Sequence, residues 1–216
     1  MKMFNKSMLA ACLITAAQIA SATPFSVTKS VLTPGSGYGT DSCEIGFFCS
    51  GSKLDVLFST TNFAAKNFNL INAGDSVTFN VGQVSFREAD VNFWFDTYGI
   101  TEGELDNLGV SLALSFGAPG SIINTLQATG TAYLGRINDR EVDYKLTWDP
   151  MTVNFGNGGS YMISLNDLSF SNSNNSWSPL QATVKLNSTE VPEPGSLALL
   201  GLGMIGFAAA RRRATK

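Results

Sequence analysis

Two groups of carboxylates are the residues best placed for chemistry. Glu88, Asp90 and Asp96 flank one predicted strand pair, and Glu102, Glu104 and Asp106 cluster in the turn that follows. A glycosidase needs two carboxyls about 5–10 Å apart across a sugar cleft, so a carboxylate glycan hydrolase is one reading. Hard oxygens in a flexible turn suit calcium, which makes Glu102, Glu104 and Asp106 metal candidates, although their spacing matches no EF-hand. The plain alternative for both groups is a solvated acidic surface. Trp94 lies on the otherwise polar side of its segment, beside Asn92 and Asp96. A flat indole with an N–H at its rim can stack on a sugar ring, which gives a carbohydrate-binding reading; burial in a central strand is the alternative.

Other chemistries are closed off. The chain has no histidine, which removes Ser-His-Asp and Cys-His catalysis and the usual catalytic zinc sites. Nucleophile-elbow, phosphate-loop and dinucleotide motifs are missing, so no cofactor is expected. Six of the 14 basic residues lie near the two ends, so the stretch 23–194 keeps 8 of them against all 17 acidic residues, a formal charge of −9. Such a domain has no basic patch to release counterions, which disfavours nucleic acid and anionic lipid.

Of three cysteines, Cys12 lies in the amino-terminal apolar stretch, leaving Cys43 and Cys49. In an oxidising compartment these two are expected to pair, closing a short loop with a modest gain in stability. The spacing is not that of a Cys-x-x-Cys redox pair, and no histidine is present to complete a metal site with them.

The elements that must position these residues read as strands. Apolar residues alternate with polar ones at Val77–Val81, Val91–Phe95, Val110–Phe116, Val142–Trp148, Met151–Phe155, Tyr161–Leu165 and Ala182–Leu186. Period two with one apolar face is the pattern of antiparallel sheets. In this phasing Asp143 falls on the solvent face and Trp148 on the core face, and Trp177 plugs the domain edge. Gly156-Asn157-Gly158-Gly159 reads as a hairpin turn and Asp149-Pro150 as a break between strands. Gly117–Gly120, Pro34–Gly37 and the polar run Ser171–Ser176 read as loops. A short helical turn is expected within Thr101–Asn107, capped by Thr101 with Glu104 three residues on. The predicted fold is an all-β antiparallel sandwich, of jelly-roll or immunoglobulin-like kind.

Both ends read as addresses. Lys2 and Lys6, the apolar stretch Met8–Ala20 and the small-residue triplet Ala20-Ser21-Ala22 make a secretory signal, residues 1–22, with the mature chain starting near Thr23. The other end, residues 191–216, carries Val191-Pro192-Glu193-Pro194, an apolar run from Leu197 to Ala210, then Arg211-Arg212-Arg213. Fourteen helical residues span about 21 Å, short of the roughly 30 Å hydrocarbon core, so the run suits a transient transmembrane helix. The arginines belong on the cytoplasmic side and the domain 23–190 outside.

These three parts, in this order and paired with a signal peptide, resemble the PEP-CTERM sorting signal of Gram-negative bacteria. The resemblance covers about an eighth of the chain. It implies recognition by exosortase, a membrane protease-transferase that cuts near the Pro-Glu-Pro motif, and export by a cell that makes exopolysaccharide. The stretches Asp75–Phe79, Val110–Phe116, Asp149–Val153 and Gly158–Phe170 also resemble the β-rich choice-of-anchor domains found upstream of alternative sorting tails. That likeness implies attachment and assigns no chemistry. The expectation is therefore a non-enzymatic surface or extracellular-matrix protein with a structural or adhesive role beside exopolysaccharide. The alternatives are a carbohydrate-binding module using Trp94 and a secreted hydrolase.

Overall fold

The computed structural model describes residues 22–40, 53–88, 91–93, 96–156, 158–173, 176–189 and 203, with 91–93 and 96–98 known by their backbone only. One compact unit spans Ala22–Val191. Its strands in chain order are β1 (Thr23–Pro34), β2 (Val56–Ser59), β3 (Lys66–Leu70), β4 (Ser76–Phe86), β5 (Val91–Phe93), β6 (Asp96–Tyr98), β7 (Gly109–Ala118), β8 (Ile122–Ala132), β9 (Tyr144–Trp148), β10 (Met151–Phe155), β11 (Gly159–Leu165), β12 (Leu168–Phe170) and β13 (Ser178–Ser188). A three-residue 3-10 turn, Glu102–Glu104, lies between β6 and β7.

The all-β expectation holds. A six-stranded antiparallel sheet has the order β12-β9-β8-β7-β1-β3, and a five-stranded one the order β10-β11-β13-β4-β2; β5 and β6 form a separate hairpin. The two large sheets face each other over one apolar core. Phe25 of β1 meets Tyr161 of β11 edge-on at 5.2 Å, and Phe86 of β4 stacks on Tyr144 of β9 at 5.8 Å between ring centroids. Such aromatic pairs add about 0.5–1.5 kcal/mol each beyond the area they bury.

Regular alternation produces the best-formed strands. Val110, Leu112, Leu114 and Phe116 of β7 all point inward, as do Leu180, Ala182, Val184 and Leu186 of β13. The β10–β11 hairpin turns where the glycines predict it, with Gly156 and Gly158 both at positive φ. Asp149-Pro150 marks the point where the chain leaves the six-stranded sheet for the five-stranded one.

Two phase assignments need correcting. Asp143 is fully buried, not solvent-facing, because β9 starts only at Tyr144. Its carboxylate accepts the Asn138 N–H at 2.8 Å, and its own N–H donates to the Phe170 carbonyl at 2.8 Å. The Asn138 N–H on Oδ2 offsets part of the cost of burying this carboxylate. Trp177 does not plug the edge: it is 39% exposed, just ahead of β13. Trp148, in contrast, lies in the core as its phase predicts.

Candidate functional site

One acid of each group serves the backbone. Glu88 is buried, and its Oε2 accepts the Asp55 N–H at 2.9 Å, tying the start of β2 to the end of β4. Asp90 lies outside the described residues, and Asp96 is described by its backbone alone, within β6. Glu104 is buried, and its carboxylate accepts the Thr101 N–H, completing the expected capping box on the 3-10 turn. Glu102 and Asp106 point to solvent. The turn therefore does not gather Glu102, Glu104 and Asp106 around one point. Among the described residues no cluster of three histidine, cysteine, aspartate or glutamate side chains could hold a metal.

Trp94, Cys43 and Cys49 lie outside the described residues, as do Val191, Pro192, Glu193, Pro194 and Arg211, Arg212 and Arg213. The signal stretch and the carboxy-terminal apolar run are likewise outside them, and no helix among the described residues is long and apolar enough to cross a membrane.

Sequence reasoning missed a surface feature on the five-stranded sheet. Val84 and Phe86 face the core, so Ser85 between them faces outward, and so does Arg87. The β4–β13 register pairs Ser178 with Val84, which brings Trp177 opposite Ser85. The Arg87 guanidinium sits 5.5 Å from the Trp177 ring centroid, and its Nε donates to Ser85 Oγ at 3.1 Å. Ser85 is fully covered beneath them, while Trp177 stays open. Among the described residues no carboxylate pairs with Arg87.

The same outer face continues along β13 and β4 as a polar ladder. Gln83 is opposite Pro179; Gln181 Nε2 donates to Asn80 Oδ1 at 3.1 Å; Thr78 and Thr183 share a hydrogen bond of 2.8 Å; and Lys185 lies opposite Ser76. Every outward position from Trp177 to Lys185, and from Ser76 to Arg87 on the partner strand, lacks a carboxylate. Only position 177 of this row could have been singled out from sequence, because Trp177 directly follows a polar loop. Its neighbours come from register, which alternation alone does not supply.

Comparison with known proteins adds one result. Residues 190–213 match the family of the PEP-CTERM protein-sorting motif. No curated protein and no solved structure matches the chain. A motif of this kind implies an extracellular protein processed by exosortase, a membrane enzyme.

Proposed function

We propose that this PEP-CTERM protein is a non-enzymatic component of the cell surface or extracellular matrix, with a structural or adhesive role in an exopolysaccharide-rich envelope. The observation that carries the reading is the sorting motif at residues 190–213, joined to a β-sandwich whose last strand ends at Ser188. In this reading the amino-terminal signal exports the sandwich, and the apolar run from Leu197 holds the tail transiently in the inner membrane. Arg211, Arg212 and Arg213 stay cytoplasmic. Proline fixes φ and disfavours helix in the residue before it, so a Pro-Glu-Pro sequence suits the extended form a protease takes into its cleft. Cutting there frees the sandwich on the outer side.

The non-catalytic part of the proposal is supported by how the acids are used. Glu88 accepts the Asp55 N–H and Glu104 the Thr101 N–H, so both carboxylates are engaged by the backbone. The test is pulse-labelling and fractionation of the native host, with mass spectrometry of the product. The expected result is a product lacking both ends in the extracellular fraction, and a full-length membrane-bound precursor when exosortase is deleted. Intact chain in the cytoplasm would refute the proposal. Loss of matrix cohesion on deleting the protein, with no enzymatic activity gained or lost in the medium, is the outcome that fits its structural part.

A further inference from the structure

We propose that the outer face of the five-stranded sheet, from Trp177 and Arg87 to Lys185, is a binding track for an acidic polysaccharide, one whose sugar residues carry carboxylates. The proposal rests on the matrix reading above and names the ligand class that such a protein would hold.

Three observations point to that ligand. The first is the exposed indole. Trp177 keeps 39% of its surface open although most large aromatics bury far more, and its flat apolar face suits the C–H face of a pyranose. The second is the cation beside it. Arg87 is anchored by Ser85 and by the Trp177 ring, and among the described residues no carboxylate neutralises it. A guanidinium held in place this way has lost side-chain freedom in advance and presents its fork to a planar carboxylate. The third is the charge pattern. The stretch 23–194 carries 8 basic and 17 acidic residues, so an anionic polymer is repelled by most of the surface. The outward positions of β4 and β13 form a face without carboxylates, bounded by Arg87 at one end and Lys185 at the other. Between these cations run amides and hydroxyls already ordered by mutual hydrogen bonds, Asn80 with Gln181 and Thr78 with Thr183. These groups suit sugar hydroxyls, and their ordering lowers the entropy lost on binding. Asp75 adjoins the far end, but its carboxylate is held by the Ile71 and Asn72 N–H groups.

A nucleic acid would satisfy the cations but needs a denser basic surface than two positive side chains. A neutral glycan would use Trp177 but leave Arg87 idle. The carboxylate-bearing glycan uses both.

The test is affinity electrophoresis and calorimetry of the full chain in detergent against polygalacturonate, with dextran as the neutral polymer. The expected result is retardation by polygalacturonate and little by dextran, weakening as salt is raised. Trp177→Ala should lower polygalacturonate affinity about tenfold, the equivalent of one stacking contact. Arg87→Gln should lower it comparably while leaving any dextran binding unchanged, and Arg87→Lys should fall between, since it keeps charge but not the fork. Thermal melts of each variant report folding independently, and Lys185→Gln, at an exposed position, probes the far end of the track without risk to the core. Absence of polygalacturonate binding, or binding indifferent to Trp177→Ala, Arg87→Gln and Lys185→Gln in folded protein, would overturn the proposal. Stronger retention by dextran would assign the face to neutral sugars and overturn it equally. None of these outcomes bears on processing, so a protein that is cut and exported but binds no polyuronate would sink this inference and leave the sorting reading intact.

Discussion

Asn124 and Tyr161 join the two sheets through the core: Asn124 Nδ2 donates to Tyr161 Oη at 3.0 Å, from β8 to β11, with both side chains buried. An amide facing inward near the start of a strand is unfavourable unless its polar atoms find partners. Tyr161→Phe leaves that amide without its acceptor and should lower stability by about 1–3 kcal/mol. The double variant Asn124→Leu with Tyr161→Phe removes both polar groups and should recover much of the loss. Urea titration of the four proteins reads this directly. A neutral Tyr161→Phe would show that the bond contributes nothing.

Tyr38 and Tyr144 make the sandwich sensitive to alkali. Tyr38 Oη lies 2.7 Å from the Leu108 carbonyl and 2.8 Å from Tyr144 Oη. The carbonyl can only accept, so Tyr38 donates to Leu108 and Tyr144 donates to Tyr38. Burial pushes the Tyr38 phenol up to about 12, partly offset by the hydrogen bond with Tyr144. Burial, with the neighbouring Tyr38, raises Tyr144 well above its ordinary value. A phenol whose folded pKa exceeds its unfolded value stabilises fully below the unfolded value near 10, and that stability is lost as pH rises toward the folded value. The melting temperature should therefore hold to about pH 10 and fall steeply between about 10 and 12. Tyr38→Phe should be less stable at neutral pH yet show a shallower alkaline fall. Absorbance of tyrosinate rising in step with unfolding is the check; titration of Tyr38 in a still-folded protein near its ordinary value would contradict it.

The legible strands were those whose inward residues are all apolar. β7 and β13 present an unbroken apolar face, and their alternation is visible without coordinates. β1 is the longest strand, yet its period breaks: the register slips around Val27, so Thr28 and Lys29 both face out and Ser30 turns inward to donate to the Val81 carbonyl at 2.6 Å. A bulge of this kind shifts the phase by one residue and hides the strand from any period-two reading. β8 is obscured by inversion: Ile123 is 69% exposed while the neighbouring Asn124 is buried. Hydropathy puts those two the other way round; Asn124 is in phase with the buried Leu126 and Ala128, and the Tyr161 hydroxyl across the sandwich gives its amide a partner. The capping box at Thr101 and Glu104 was legible because it depends on residues three apart. The Arg87–Trp177 contact was not, because its partners are 90 positions apart in sequence and meet through β4–β13 register. The sorting motif is the opposite case, carried entirely by local order of residue types.

Gly130 is a position where a single methyl group should be felt. Its N–H donates to the Leu108 carbonyl at 2.8 Å, the same oxygen that accepts from Tyr38. A Cβ at Gly130 would run into Tyr38 Oη and the Leu108 backbone, neither of which can swing away without breaking the tyrosine pair. Gly130→Ala should cost about 1–3 kcal/mol, the usual range for overpacking. Gly109→Ala is the control, since its nearest neighbour would be 4.0 Å away. Denaturant midpoints that fall for Gly130→Ala and stay put for Gly109→Ala fit this account; equal shifts would not.

The three arginines at 211–213 should matter through charge and side-chain length rather than through the guanidinium fork. In the proposed reading, an apolar run of the length of Leu197 to Ala210 would reach about 21 Å if helical, shorter than a membrane core of roughly 30 Å, so apolar burial alone would hold it weakly. Long cationic side chains extend such a run by reaching the headgroup layer, and they resist translocation. Replacing all three with lysine should therefore preserve processing of the precursor in the native host. Replacing all three with glutamine should leave an uncut chain, or release it without retention at the inner membrane. Immunoblots of membrane and extracellular fractions distinguish the two. Normal cutting of the glutamine variant would show that the enzyme reads the motif without a membrane-held tail, and failure of the lysine variant would show that it reads arginine itself.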